Sequence, residues 1–390
     1  MSSAVKTWLS RIVKLAFCGG ALWYLSGKVT LPDTARLAER PEIRYAVVSK
    51  NDDAVTLRDR ETGAERTVPR SALMSNSKSG GDIERGLKSI IRETDVGWAW
   101  WAVLFYAPVT FGIAWRLRLM LATQDIKLGY RDSVLLTFAG NFFNFAMPGT
   151  TGGDIYKAYH IAKRTHKRTE GVTIVLLDRA IGLASFLILG AFTILVSWRK
   201  DMIGEYGRWV GYLMAVFIVG FGLFFSHRVR RVIRYDALLA RLPFAEKLKR
   251  IDETTFSFRR HKSQAILTLG LTLALHGLFV GSIFCMARGL GIHPSEGRTE
   301  GELFLAVLLA SVVGYLFAAI PVTIQGFGLL EAVFIRVLVN GGWCNESQML
   351  ALTLSARLIQ MAWSMPGVVV PWLGFSRPQG AEVEAMNAEG

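Results

Sequence analysis

The sequence predicts an all-α polytopic membrane protein. It has about six full transmembrane helices and two broken or re-entrant ones in an inverted pseudo-repeat, with a small extracytoplasmic β-meander. Three observations lead there. The 390-residue chain is 51% hydrophobic and its mean hydropathy is +0.32, more apolar surface than a soluble core of this size can hide. The apolar residues come in blocks near the ~20 residues that a bilayer requires. Two further blocks are short, and each ends at a proline followed by a Gly/Thr-rich stretch.

The full spans fall at 8–26, 98–117, 171–198, 207–226, 264–287 and 349–374, and the interrupted ones at 133–147 and 303–320. Charge orients them. Between His227 and Lys262 lie eleven Lys and Arg but only four acids, Asp236, Glu246, Asp252 and Glu253, so that loop is cytoplasmic. The basic loops at 116–131 and 157–168 fall on the same side. The loop with Glu296, Glu300 and Glu302 faces out. Lys6, Arg11 and Lys14 keep the N-terminus inside. These assignments close if the first interrupted segment re-enters from the cytoplasm and the second from outside; two short full spans are the alternative. The setting is the cell (inner or plasma) membrane, with both termini cytoplasmic.

Leu15-Ala16-Phe17-Cys18 superficially resembles a lipoprotein cleavage site. Phe17 is too bulky before the cysteine and Lys14 interrupts the apolar run, so 1–26 reads as an uncleaved first helix. Residues 27–97 are a soluble insert. Short strands are expected at 44–49, 54–58 and 65–68, with turns at Asn51-Asp52-Asp53 and Thr62-Gly63. A surface helix is expected at 82–94, with Ile83, Leu87, Ile90 and Ile91 on one face. The membrane domain proper is 98–375, and 376–390 is a small, polar, disordered tail.

The net charge of +14 sits between apolar runs, which the positive-inside rule explains without nucleic acid. Three cysteines, Cys18, Cys285 and Cys344, lie in or beside apolar runs and exclude a disulfide scaffold. No metal spacing, nucleophile elbow or P-loop occurs. Gly326-Phe327-Gly328 lacks the strand–helix context of a dinucleotide site. The chain is therefore read as a non-enzyme without cofactors.

Two constellations carry chemistry. The first holds Asn141, Asn144, Pro148, Gly149, Thr150, Gly152, Gly153, Asp154 and Lys157. An apolar helix ends at Pro148, glycines allow an unwound turn, and a new helix starts near Asp154. Unwound backbone at membrane depth lines a cavity enclosed by protein or water, and the free N–H groups of a helix start favour an anion. The structural alternative is a plain N-cap by Asp154. The second holds Pro321, Thr323, Gly326, Gly328 and Glu331 and repeats the grammar. The spacing from proline to acid differs, so it is an echo and not a sequence repeat. Paired interruptions of this kind point to a transporter site near the midplane.

Intramembrane charges complete the set. Asp178 and Arg179 lie inside one apolar run and Arg357 inside the last. An isolated charge there costs about 2.5–3.5 kcal/mol or more, so each is expected to pair or to face a cavity. Neighbours on a helix do not face each other, so Asp178 and Arg179 need separate partners. Arg179 is matched with Asp154 and Arg357 with Glu331. Structural pairing that only holds helices together is the alternative. His276 reads as a packed, hydrogen-bonded group, and Trp98, Trp100, Trp101 and Trp343 as an interfacial belt.

Four elements in this order resemble the lysylphosphatidylglycerol synthase transmembrane domain family over 98–375: the Asn141-to-Lys157 run; Leu177-Asp178-Arg179-Ala180-Ile181-Gly182-Leu183; the Pro321-to-Glu331 run; and Arg357. Its members include stand-alone flippase-like proteins and the flippase half of bifunctional lipid-aminoacylating enzymes. The resemblance implies a lipid substrate. The sequence stops soon after the last span, so aminoacylation is not implied. Two departures stand out: the 27–97 insert is larger than the family's short first loop, and Thr323 replaces a common serine. The reading is a flippase or lipid-linked transporter for an anionic or phosphate-bearing head group, with membrane lipids as partners and the insert as a possible protein-docking module. An intramembrane lipid-modifying enzyme and a scaffold working through the insert are the alternatives.

Overall fold

The computed structural model describes residues 30–51, 53–59, 62–74, 83–146, 152–198, 211–212, 215–216, 219, 261–295, 297–319 and 326–371. The expected first span, the 207–226 span apart from five positions, the basic loop after it and the C-terminal tail lie outside these residues. The described part is mostly helical with a small antiparallel sheet near its N-terminus. The chain divides into two compact units, Met1–Leu104 with Val280–Ile359 and Phe105–Phe279 with Gln360–Gly390. Among the described residues four helices are long and apolar enough to cross a membrane: Val96–Ala122, Arg168–Val196, Lys262–Gly289 and Glu300–Ala318. Large apolar side chains such as Leu104, Leu176, Leu195, Ile266 and Leu358 are exposed on the helices. That would be an aggregation hazard in water and is ordinary against lipid.

The first unit opens with the sheet. Strands β1 (Thr34–Leu37), β2 (Arg40–Lys50), β3 (Ala54–Arg58) and β4 (Glu65–Pro69) form a meander, and β5 (Ile83–Glu84) pairs with β1, giving the order β4-β3-β2-β1-β5. Alternate residues Tyr45, Val55, Leu57 and Val68 bury one face with Ala35, Leu37 and Leu73. Strand β1 has only four residues, too few to show a period in the sequence. The helix expected at 82–94 is shorter, α1 (Leu87–Arg92). Ile83 and Glu84 instead take the free edge of β1. Gly86 then presses on the Pro32 carbonyl, which would lie 2.3 Å from any Cβ there, and its N–H donates to Asp33 Oδ1 at 2.8 Å. The helix starts only after this anchor.

The sheet is bonded to the membrane helices of the same unit. Helix α9 (Glu346–Ser364) begins in a reciprocal cap. Gln348 N–H donates to Asn345 Oδ1 at 2.8 Å and Asn345 N–H to Gln348 Oε1 at 3.2 Å. Gln348 Nε2 also donates to the carbonyl of Gly291 at 3.2 Å, just past the end of α6 (Lys262–Gly289). Asn345 Nδ2 reaches the Arg85 carbonyl at 3.2 Å and Thr30 N–H reaches Ser347 Oγ at 3.4 Å. Helix α7 (Glu300–Ala318) starts in a Thr299/Glu302 capping box. It buries Leu303, Val307 and Ala310, and its Gly314 admits the Phe334 ring at 3.3 Å from a notional Cβ. The second interrupted run is thus a 19-residue helix, a length sufficient to span.

The second unit contains most of α2 (Val96–Ala122), α3 (Tyr130–Ala146), α4 (Gly152–Ala162) and α5 (Arg168–Trp198). Its core is Leu117, Met120, Leu121, Ile126, Leu136, Ile161, Ile174, Val175 and Leu177. Ser133 Oγ donates to the Ala114 carbonyl at 2.6 Å and ties α3 to α2. The span expected at 349–374 is not one helix. Pro366 lies two residues past Ser364, and Met365–Val368 tightens into a 3-10 turn, because proline has no N–H to continue the α-helical ladder. That turn packs on α3 so closely that a Cβ at Gly367 would stand 2.1 Å from the Phe138 carbonyl oxygen.

Gly367→Ala is therefore expected to destabilise the fold by about 1–3 kcal/mol through overpacking. Gly182→Ala has nothing within 4 Å of the new Cβ and should be neutral or gain up to about 1 kcal/mol from helix propensity. Thermal unfolding of both variants in detergent checks this; equal melting temperatures would refute the packing account.

Candidate functional site

The first constellation is built in the second unit. Asn144, near the end of α3, accepts the Gly153 N–H on Oδ1 at 2.8 Å. One of the orphan donors at the start of α4 is thus satisfied from the preceding helix. A Cβ at Gly153 would lie 2.0 Å from the Gly140 carbonyl oxygen, so only glycine lets the two backbones approach this closely. Asp154 sits in the first turn of α4, where the helix dipole favours a negative charge. Its Oδ2 accepts from Arg179 Nη1 at 2.8 Å, and both side chains keep 25% of their surface accessible. Lys157 follows one turn later and is 5% exposed. Tyr156 stacks on Phe143 at 4.5 Å and packs against His160. Burial, with Arg164 and Lys163 nearby, lowers the His160 pKa. Asn141 lies one turn before Asn144, half-buried. Gly149 and Thr150 lie outside the described residues.

The second constellation is built in the first unit and is tighter. Gly326 and Gly328 both have positive φ, +71° and +87°, a region open to glycine at little cost. A Cβ at Gly326 would also stand 2.3 Å from Ala318 Cβ. Helix α8 (Leu329–Phe334) starts there. Glu331 folds back so that Oε2 accepts the Gly328 N–H at 2.7 Å, while Oε1 accepts from Arg357 Nη2 at 2.9 Å. The Arg357 guanidinium lies 3.9 Å from the Phe327 ring centroid, within cation–π range. The two side chains are only 2% and 11% exposed. A π-helical turn, Ile335–Val339, follows. Thr323 lies outside the described residues.

The structure thus brings Arg179 to Asp154 and Arg357 to Glu331. Asp178 has a partner that sequence reasoning missed. Arg116 was assigned to a basic loop, yet α2 runs on to Ala122 and keeps Arg116 inside the helix, buried. Its Nε donates to Asp178 Oδ1 at 2.7 Å and its Nη1 to Thr272 Oγ1 at 2.9 Å, joining α2, α5 and α6. The available signal was an intramembrane aspartate with no assigned cation. His276 is packed, as expected: it stacks on Phe186 and hydrogen-bonds Ser185 Oγ through Nδ1. Among the described residues no group of three or more His, Cys, Asp or Glu is placed to hold a metal ion.

Apolar helices of spanning length, carrying charge pairs beside glycine-bearing helix starts, define an integral membrane protein with polar sites inside its helical domain. The chain belongs to the family described as the lysylphosphatidylglycerol synthase TM region, whose model matches residues 85–366. No curated protein matches it.

Breaking one partner of the Arg116–Asp178 pair should cost about 3–5 kcal/mol, whereas removing both charges together should restore most of it. Arg116→Met, Asp178→Leu and the double variant, unfolded in detergent, form the cycle. A double variant as unstable as the worse single would mean that the pair is not what these residues contribute.

Proposed function

We propose that this protein is a lipid flippase or lipid-linked transporter that moves an anionic or phosphate-bearing head group between leaflets, and that it is not an enzyme. The observation that carries this reading is the recurrence, once in each compact unit, of an acid just past a glycine-bearing helix start, paired with an arginine on a later helix: Asp154–Arg179 and Glu331–Arg357. Transporters with inverted repeats place their sites at such paired breaks. Family membership supports a lipid substrate.

In this reading the spanning helices and the two interrupted segments form an inverted pseudo-repeat in the cell membrane. Both termini are cytoplasmic and the β-sheet lies outside. The acyl chains stay in lipid while the head group crosses a polar groove, and access alternates between the two sides. Membrane lipids are the partners, and the sheet offers a surface to a protein partner. The enzyme alternative would need a free acid or nucleophile. Asp178 and Glu331 are instead engaged in buried ion pairs.

The test is lipid movement in liposomes. Purified protein is reconstituted with fluorescent anionic, zwitterionic or cationic lipid, and a membrane-impermeant quencher reports transfer. Wild type should move one class well above protein-free vesicles. Arg179→Ala should lower that rate by at least about tenfold, the loss of one charge-assisted contact, while keeping its fold. Glu331→Ala should lose both rate and stability. No movement of any class by folded protein would refute the transporter reading.

A further inference from the structure

Helix α1 is held at the level where α2 begins and α6 ends. Asp95, between α1 and α2, caps α2 through Oδ1, which accepts the Gly97 N–H at 2.8 Å and the Trp98 N–H at 3.3 Å. Its own N–H donates to the Gly289 carbonyl, at the end of α6, at 2.9 Å. The Arg288 guanidinium lies 5.7 Å from the Trp98 ring centroid at this level, and tryptophan concentrates where spanning helices meet the head groups. The lead-in to the sheet is fixed here as well. Leu87 N–H donates to the Thr30 carbonyl at 2.9 Å and Lys88 N–H to the Leu31 carbonyl at 3.1 Å.

The apolar side chains presented at this level are not the face that periodicity suggests. Ile83 belongs to β5, and Ile90 is buried at 1% exposure. Ile91 is 64% exposed, and Leu31, beside the start of α1, is 66% exposed. Lys88 and Arg92 are exposed too, and Lys88 shares one helical face with Ile91 and Arg92. Glu93 turns to Lys50 and Arg85, each at 3.9 Å. Past the Asp95 cap, Val96, Trp100 and Leu104 recur every four residues and are all exposed, an apolar ridge that runs on into α2. A single exposed apolar residue is ordinary on a protein in water. Leu31 and Ile91 differ because they adjoin the lipid-facing ridge of a spanning helix and so continue an interface that is already there.

We propose that Leu31 and Ile91 dip into the interfacial layer of the bilayer, with Lys88 and Arg92 among its head groups, so that the sheet is seated on the membrane surface and does not stand free in water. The partner is the lipid surface itself. Apolar side chains flanked by Lys and Arg suit this layer, because the apolar groups enter the acyl boundary while the cations stay among polar head groups. Lysine and arginine stems lie along apolar surface as their charged ends reach out. The proposal needs α2 to span the membrane and is independent of whether the protein moves lipid. It also divides the sheet by role. The lead-in to β1 and helix α1 meet lipid, while the polar β3–β4 turn, with Asp59, Thr62 and Gly63, faces water.

The experiment measures depth. Full-length protein carrying Leu31→Cys, Ile91→Cys or Thr62→Cys is labelled with a small environment-sensitive fluorophore and placed in phosphatidylcholine nanodiscs, whose two faces are both open to solutes. Labelled wild type gives the background from the native cysteines. All three positions are exposed, so the variants should melt in detergent at the wild-type temperature. Fluorescence is quenched either by lipid bearing a nitroxide near the head group or by iodide in the water. At 31 and 91 the nitroxide should quench about threefold more than at 62, and iodide about threefold less, as expected of side chains in the interfacial layer. Iodide quenching at 31 and 91 equal to that at 62 would overturn the proposal. So would protection of 31 and 91 from both quenchers, which would mean that protein covers them. Adding Lys88→Glu and Arg92→Glu to the Ile91→Cys variant should halve its nitroxide quenching, and unchanged quenching would overturn the part given to the two cations.

Discussion

The Arg116–Asp178 pair fixes the second unit. Both residues sit on helices of spanning length, and neither lipid nor water can neutralise them where they lie. The 2.7 Å contact and the second bond to Thr272 therefore set the rotation of α2, α5 and α6 about their own axes. Successive helical residues are about 100° apart. Once Asp178 is turned to Arg116, Arg179 must face elsewhere, and there it meets Asp154. A buried pair of this kind adds little net stability against an apolar alternative, and its contribution here is to geometry. Its cost is justified because it aims the neighbouring arginine at the start of α4.

The two acid–arginine pairs share a grammar and differ in their freedom. Glu331 spends one oxygen on the Gly328 N–H and the other on Arg357, whose guanidinium is also covered by Phe327. Any ligand there would have to displace a cap, an ion pair and a ring contact together. Asp154 engages Arg179 through one oxygen, and both side chains retain a quarter of their surface. The Gly153 N–H is already capped by Asn144, so Asp154 is free of that duty. The closed pair suits a fixed element that stabilises a helix break, and the open pair suits a site that exchanges partners.

Much of this was legible in the sequence because membrane burial makes charge bookkeeping strict. Arg179 and Arg357 each needed an acid, and the acids just past the two interruptions were the natural matches. The meander was legible from its turns. Arg116 was not legible. Its chemistry is that of a loop arginine until the helix is known to extend past it to Ala122, and apolar blocks mark spans better than helix ends. The short edge pairing of Ile83–Glu84 was hidden because Ile83 fits a helical face as well as a strand. Pro366 was hidden because apolar content continues beyond it even though the α-helix does not. Lys157 was legible as a residue of the site but not as a buried one, because its burial depends on Gly140 opening a channel for the stem.

The sheet bears on how function in this molecule should be dissected. It is bonded to the start of α9 through Thr30–Ser347 and Arg85–Asn345, and Arg357 lies on that same helix, about 16 Å further along. The cap at Asn345 and Gln348 also holds the end of α6. Removing 42–73 would take away β3 and β4 and most of β2, so that β1 and β5 lose their support and Ser347 and Asn345 lose ordered partners. Loss of function on such a deletion would arise equally from a lost docking surface and from a disturbed α9. Substitutions on the exposed face of β3 and β4, which leave the Tyr45–Leu57–Val68 core and the α9 contacts intact, separate these causes. Unchanged function in such variants would assign the sheet's contribution to its hold on the helices, and lost function with the helices still folded would assign it to a docking surface.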